Sequence, residues 1–96
     1  MEDALALHLL IHGRVQGVGY RAWFAEEAQA RGLAGFVRNR REGTVEAVVA
    51  GPEAEVEALA EACLAGPRAA AVTKVERGAV EGEVPHGSGF RVLSTV

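Results

Sequence analysis

The hydrophobic periodicity of this chain predicts an α+β fold, a ferredoxin-like two-layer sandwich of order β-α-β-β-α-β with a short terminal strand. Three observations carry the prediction. Apolar residues alternate with period two from Leu5 to Ile11, they recur at helical spacing in two later segments, and the tight turn Arg41-Glu42-Gly43 lies between those segments. The turn decides the class, because a connection of about three residues joins only antiparallel strands. Two helices on one face of an antiparallel sheet follow.

Leu5, Leu7, Leu9 and Ile11 alternate with Ala6, His8, Leu10 and His12, so the first strand has one strongly apolar face. From Tyr20 to Arg31 the period becomes helical: Tyr20, Phe24 and Ala28 fall four apart among alanines and glutamates, and Gly32 is suited to end the helix. Residues 33–40 and 44–50 read as the second and third strands, with Gly43 supplying a positive φ in the turn. Gly51-Pro52 opens a second helix whose Glu53, Glu55 and Glu57 favour its N-terminal dipole. Val56, Leu59, Ala60, Cys63 and Leu64 give that helix one buried face, and Gly66-Pro67 stops it. Residues 71–80 are a fourth, weakly patterned strand, and the Gly/Pro-rich loop 81–89 leads to Phe90, Val92 and Leu93 in the last one.

At 96 residues the chain is expected to be a single domain covering residues 5–96. Its 49% hydrophobic and 24% charged residues are ordinary for a soluble protein, and no apolar run approaches the roughly 18 residues of a membrane span. Met1-Glu2-Asp3-Ala4 is acidic and lacks the basic n-region of a secretory signal, which makes the cytoplasm the expected location. A lone cysteine, Cys63, makes neither an internal disulfide nor a cysteine metal cluster and is expected in the core. The net charge of −3 argues against a nucleic-acid binder, yet Arg14, Arg21, Arg38, Arg40 and Arg41 are half of the ten basic residues. An acidic protein with a basic pocket suits a small anion.

The stretch Gly13-Arg14-Val15-Gln16-Gly17-Val18-Gly19-Tyr20-Arg21 places a flexible loop between the first strand and the first helix. Glycines let several backbone N–H groups converge, and the positive end of the helix adds to their field, so the loop suits a phosphate. Arg21 adds a planar fork able to grip two oxygens. Gly17-Val18-Gly19-Tyr20-Arg21-Ala22 also satisfies the dinucleotide pattern G-x-G-x-x-A. That pattern requires a parallel βαβ unit with further crossovers, which the hairpin at residues 41–43 and the short chain deny.

This loop, together with Gly35-Phe36-Val37-Arg38-Asn39 and Gly43-Thr44-Val45-Glu46, closely resembles the acylphosphatases, small hydrolases of carboxyl-phosphate anhydrides. The resemblance runs from about Leu5 to Val96. It implies that Val15, Gln16, Gly17, Val18, Gly19 and Tyr20 form a phosphate-binding loop, that Arg21 binds the phosphoryl group, and that Asn39 orients the attacking water. Two positions depart from the family's habit: Tyr20 stands where phenylalanine is frequent and Glu42 where aspartate is. The activity so implied is hydrolysis of small acyl phosphates without metal or cofactor by a cytoplasmic monomer, with inorganic phosphate or sulfate as a competing anion. A non-catalytic anion-binding or regulatory domain on the same fold is the alternative.

The remaining residues offer little other chemistry. His8 and His12 share a strand face at a separation of roughly 13 Å, too far to ligate one metal, and His86 falls in the last loop. The only aspartate is Asp3, and Ser88, Ser94 and Cys63 have no evident activating base. An RNA-binding α/β plait would need basic charge and sheet aromatics, and only five aromatic residues occur in all.

Overall fold

A computed structural model describes residues 3–87 and 89–96, which leaves Ser88 outside the described residues. The elements are β1 (Ala4–Arg14), α1 (Tyr20–Ala30), β2 (Ala34–Asn39), β3 (Val45–Pro52), α2 (Glu53–Ala62), β4 (Ala71–Gly78) and β5 (Phe90–Val92). They form one five-stranded sheet of order β4-β1-β3-β2-β5, with both helices packed against the central strands. The expected β-α-β-β-α-β order and the extra strand are present.

Several boundary expectations shift: the fourth strand ends at Gly78 and not at residue 80, and the last ends at Val92, which leaves Leu93 outside it. The third strand runs on through Pro52, which caps α2 from outside instead of occupying its first turn; Glu53 and Glu55 still stand at the dipole's positive end. The helix also ends at Ala62. Cys63 continues the buried stripe as the residue closing the last turn, whereas Leu64 points out, 53% exposed.

The sheet is mixed, not wholly antiparallel: β5 pairs with β2 in parallel, Gly35 opposite Phe90 and Val37 opposite Val92. The cause is geometric. β4 runs antiparallel to β1, so it ends at the edge of the sheet from which β2 starts. The chain then needs only to move sideways past four strand spacings, roughly 19 Å, before β5 begins. It does so across the face opposite the helices, where Val80, Glu81, Glu83 and Pro85 enclose a cavity with His8, Phe36 and Glu46.

The core forms between the other face and the helices. Leu9, Ile11, Phe24, Leu33, Val37, Val45, Val49, Val56, Leu59 and Cys63 are all fully buried. Leu5 and Leu7 pack against this cluster, so the apolar face expected of the first strand is the face that is covered. Tyr20, Phe24 and Ala28 are the buried stripe of α1, and Trp23 lies edge-on to both aromatic neighbours. The Tyr20 hydroxyl donates to the Cys63 carbonyl oxygen at 2.7 Å and ties the start of α1 to the end of α2. Among the described residues no helix is long and apolar enough to cross a membrane.

Candidate functional site

Strand register brings the two predicted motifs to one end of the sheet. β1 and β2 run the same way on either side of β3, and Val45 of β3 is the rung opposite both Ile11 and Asn39. Asn39 therefore lies two strand spacings, roughly 10 Å, from the last stretch of β1, at the end where β1 hands over to the glycine loop. Alternation along β2 sets Asn39 on the helix side with Val37 and turns Arg38 to the other face.

The loop, residues 15–19, is shaped by two glycines in the left-handed region, Gly17 at φ 74° and Gly19 at φ 79°. Neither lacks room for a side chain; the backbone conformation is what demands glycine there. Gly19 is the residue immediately before α1, so the helix opens with no side-chain cap and no acidic residue in its first turn. Its first amides face the loop with an uncompensated partial positive charge.

A pocket of about 310 Å³ is lined by Val15, Gln16, Gly17, Gly19, Tyr20, Arg21, Ala22, Asn39 and Val92. Seven of the eight residues singled out in the sequence line it. The exception is Val18, which packs partly buried against the core. The Tyr20 ring is buried and its hydroxyl engaged away from the loop; burial next to Cys63 pushes that phenol well above its ordinary value. Val92, from the terminal strand, is a wall that sequence reasoning missed, since only the parallel pairing of β5 brings it beside β2.

Charge in the pocket rests on Arg21. Arg31, Arg38, Arg40 and Arg77 are each held by glutamates, whereas Arg21 has no ion-pair partner among the described residues. Asn39 has a buried Oδ1 with no hydrogen-bond partner among the described residues, and an amide oxygen left so typically costs about 1–3 kcal/mol unless a donor reaches it. Gln16 is fixed: its Nε2 donates to the Arg40 carbonyl at 2.7 Å and to the Thr44 carbonyl at 2.9 Å, which commits its side-chain donors to the hairpin and leaves its backbone N–H as its donor to the loop.

The basic cluster expected around the two motifs is smaller than its five arginines suggest. Arg38 and Arg40 converge on Glu46 at 2.7 and 3.1 Å, and His8 completes the group at 2.7 Å on the face away from the pocket. Glu46 is 12% exposed. Burial pushes its carboxyl up, but the hydrogen bonds from His8, Arg38 and Arg40 outweigh burial and hold it at about 2. A depressed acid contributes stability above its ordinary value of 4.5 and loses it as pH falls toward 2. Melting followed by circular dichroism should therefore show the parent losing stability through that window and Glu46→Gln losing markedly less; equal losses would refute the role given to Glu46.

The other residues weighed for chemistry lie elsewhere. His12 pairs with Glu76, His86 and Ser94 are exposed away from the pocket, and burial pushes the Cys63 thiol up to about 12. Among the described residues no three His, Cys, Asp or Glu side chains are grouped as metal ligands. Residues 81–87 of the last loop take no part in the pocket.

The acylphosphatase family pattern matches residues 7–92. A relative described as an acylphosphatase, from Azorhizobium caulinodans, is 63% identical over 90 residues, covering 94% of this chain and 96% of its own. The solved structure of an acylphosphatase from Coxiella burnetii is 33% identical with a TM-score of 0.86, over 95% of this chain and 94% of that one. The acylphosphatase from Bacillus subtilis is also 33% identical, with a TM-score of 0.80 over 95% and 99%. Agreement in sequence and in backbone, across both motifs and nearly every element, makes this chain a member of the acylphosphatase family of enzymes.

Proposed function

We propose that residues 5–96 act as one catalytic domain that hydrolyses acyl phosphates to a carboxylate and inorganic phosphate without a metal. The observation that carries the reading is that one pocket brings together the glycine loop, Arg21 and the Asn39 Oδ1, the latter two without an ion-pair or hydrogen-bond partner among the described residues. Backbone amides of Val15 to Tyr20 and the Arg21 fork hold the phosphoryl oxygens. Asn39 accepts a hydrogen bond from the attacking water and sets it in line with the bond to be broken.

The chemistry asks for little more. As water oxygen bonds to phosphorus, the bond from phosphorus to the acyl oxygen breaks and its electron pair leaves on a carboxylate, whose low pKa removes the need for a general acid. The water's proton passes to a phosphoryl oxygen of the substrate. Positioning and a fixed positive field around the phosphoryl group suffice for such a leaving group. Phosphomonoesters, with alkoxide leaving groups, require an acid that the pocket does not offer.

The deciding experiment is hydrolysis of acetyl phosphate and benzoyl phosphate by the purified protein in excess EDTA. Both should be cleaved, p-nitrophenyl phosphate far more slowly, and inorganic phosphate or sulfate should compete at about millimolar strength, near −4 kcal/mol. Activity that EDTA abolishes would overturn the metal-free route. Phosphate binding without turnover would point to a non-catalytic anion-binding domain.

A further inference from the structure

The two halves of the pocket belong to different elements. Val15 to Arg21 form one continuous segment, so the loop and its arginine move together, but Asn39 sits on β2 at the mouth of the hairpin. Gln16 spans the gap. Its side-chain amide reaches 24 and 28 residues along the chain to the carbonyls of Arg40 and Thr44. These two carbonyls also close the turn, Arg40 N–H donating to Thr44 O at 2.9 Å and Gly43 N–H to Arg40 O at 3.0 Å. Each thus accepts two hydrogen bonds, the full capacity of a carbonyl oxygen. One carbonyl follows Asn39 directly in the chain, and the other precedes Val45, the residue paired with Asn39.

We infer that Gln16 is a positioning residue that fixes the distance between the anion-binding loop and Asn39, acting through the hairpin mouth and not through contact with substrate. The inference rests on the reading of the pocket as an acyl phosphate hydrolase. It separates two quantities that a merely structural residue would move together. Without the clamp the loop and Arg21 still hold an anion, but the water set by Asn39 is no longer in line with it, and misplacement on the scale of 1 Å costs up to about 100-fold.

The test is a double-mutant cycle measured with benzoyl phosphate. Gln16→Met keeps length and approximate volume while removing both donors; kcat should fall about 10- to 100-fold, with the inhibition constant of inorganic phosphate changed less than about threefold. In an Asn39→Ala background the same change should lower kcat by less than about threefold, because the water is already unplaced. Gln16→Asn, polar but one methylene short, should reproduce the methionine result if the latter does not fold. Additive losses, or a phosphate affinity that falls in step with kcat, would overturn the proposal. A readout independent of turnover separates this failure from that of the hydrolase reading. Phosphate added to the ¹⁵N-labelled parent should shift the amides of residues 40–45 as well as those of the loop. In Gln16→Met the hairpin shifts should vanish while those of the loop remain; their persistence would overturn the clamp whether or not the parent turns over.

Discussion

Asn39→Ala is expected to lower kcat by about two to three orders of magnitude, the loss seen when one fixed polar group is taken from a reacting centre, while inorganic phosphate continues to bind nearly as well as to the parent. The separation follows from where the residue sits. Asn39 enters the pocket from β2, whereas the loop amides and Arg21 come from the segment between β1 and α1. Truncation also removes the buried Oδ1 that has no partner among the described residues, so the variant should melt at or slightly above the parent's temperature. Steady-state kinetics with phosphate inhibition and a thermal melt check all three statements. A folded Asn39→Ala protein with most of its activity would assign the water to another residue.

Arg21→Lys should damage both steps at once. Lysine keeps the charge but loses the fork that spans two phosphoryl oxygens, and it is more strongly hydrated. Phosphate affinity should fall about tenfold, and kcat/KM by about two orders of magnitude or more, since a charge-assisted contact worth roughly 1.5–3 kcal/mol is lost in the ground state and strengthened in the transition state. No ion pair of Arg21 is broken among the described residues, so stability is expected to be unchanged. An unaltered phosphate inhibition constant in this variant would place the anion elsewhere in the molecule.

Much of the fold was legible in the sequence because its signals are local. Alternation in β1, the four-residue spacing of Tyr20, Phe24 and Ala28, and a glycine at φ 109° in the hairpin each express a rule that operates over a few residues. The loop, Arg21 and Asn39 were legible through motif wording, which the register then brought to one end of the sheet. What was not legible depends on pairs distant in the chain. The parallel seating of β5, and with it Val92 as a pocket wall, is decided by where β4 happens to end. The capture of Arg38 and Arg40 by Glu46 depends on alternation across two paired strands, so a cluster of five arginines read along the chain becomes far less positive in space. Leu64 shows the same limit, since the helical period continued on paper after the helix had stopped.

Val45, opposite both Ile11 and Asn39, has a consequence for how the protein fails. It belongs to an uninterrupted buried run, Thr44 to Ala50, flanked by strands on both sides. Segments of that kind open only near the full free energy of unfolding, whereas ligand-holding loops usually open at a fraction of it. Asn39 is hung on this strand by its ladder, and the glycine loop is hydrogen-bonded through Gln16 to the same hairpin mouth, so both halves of the pocket are tied to that segment. Loss of phosphate binding on heating and loss of the sheet are therefore expected to coincide as one cooperative event, which melts followed by circular dichroism with and without phosphate check.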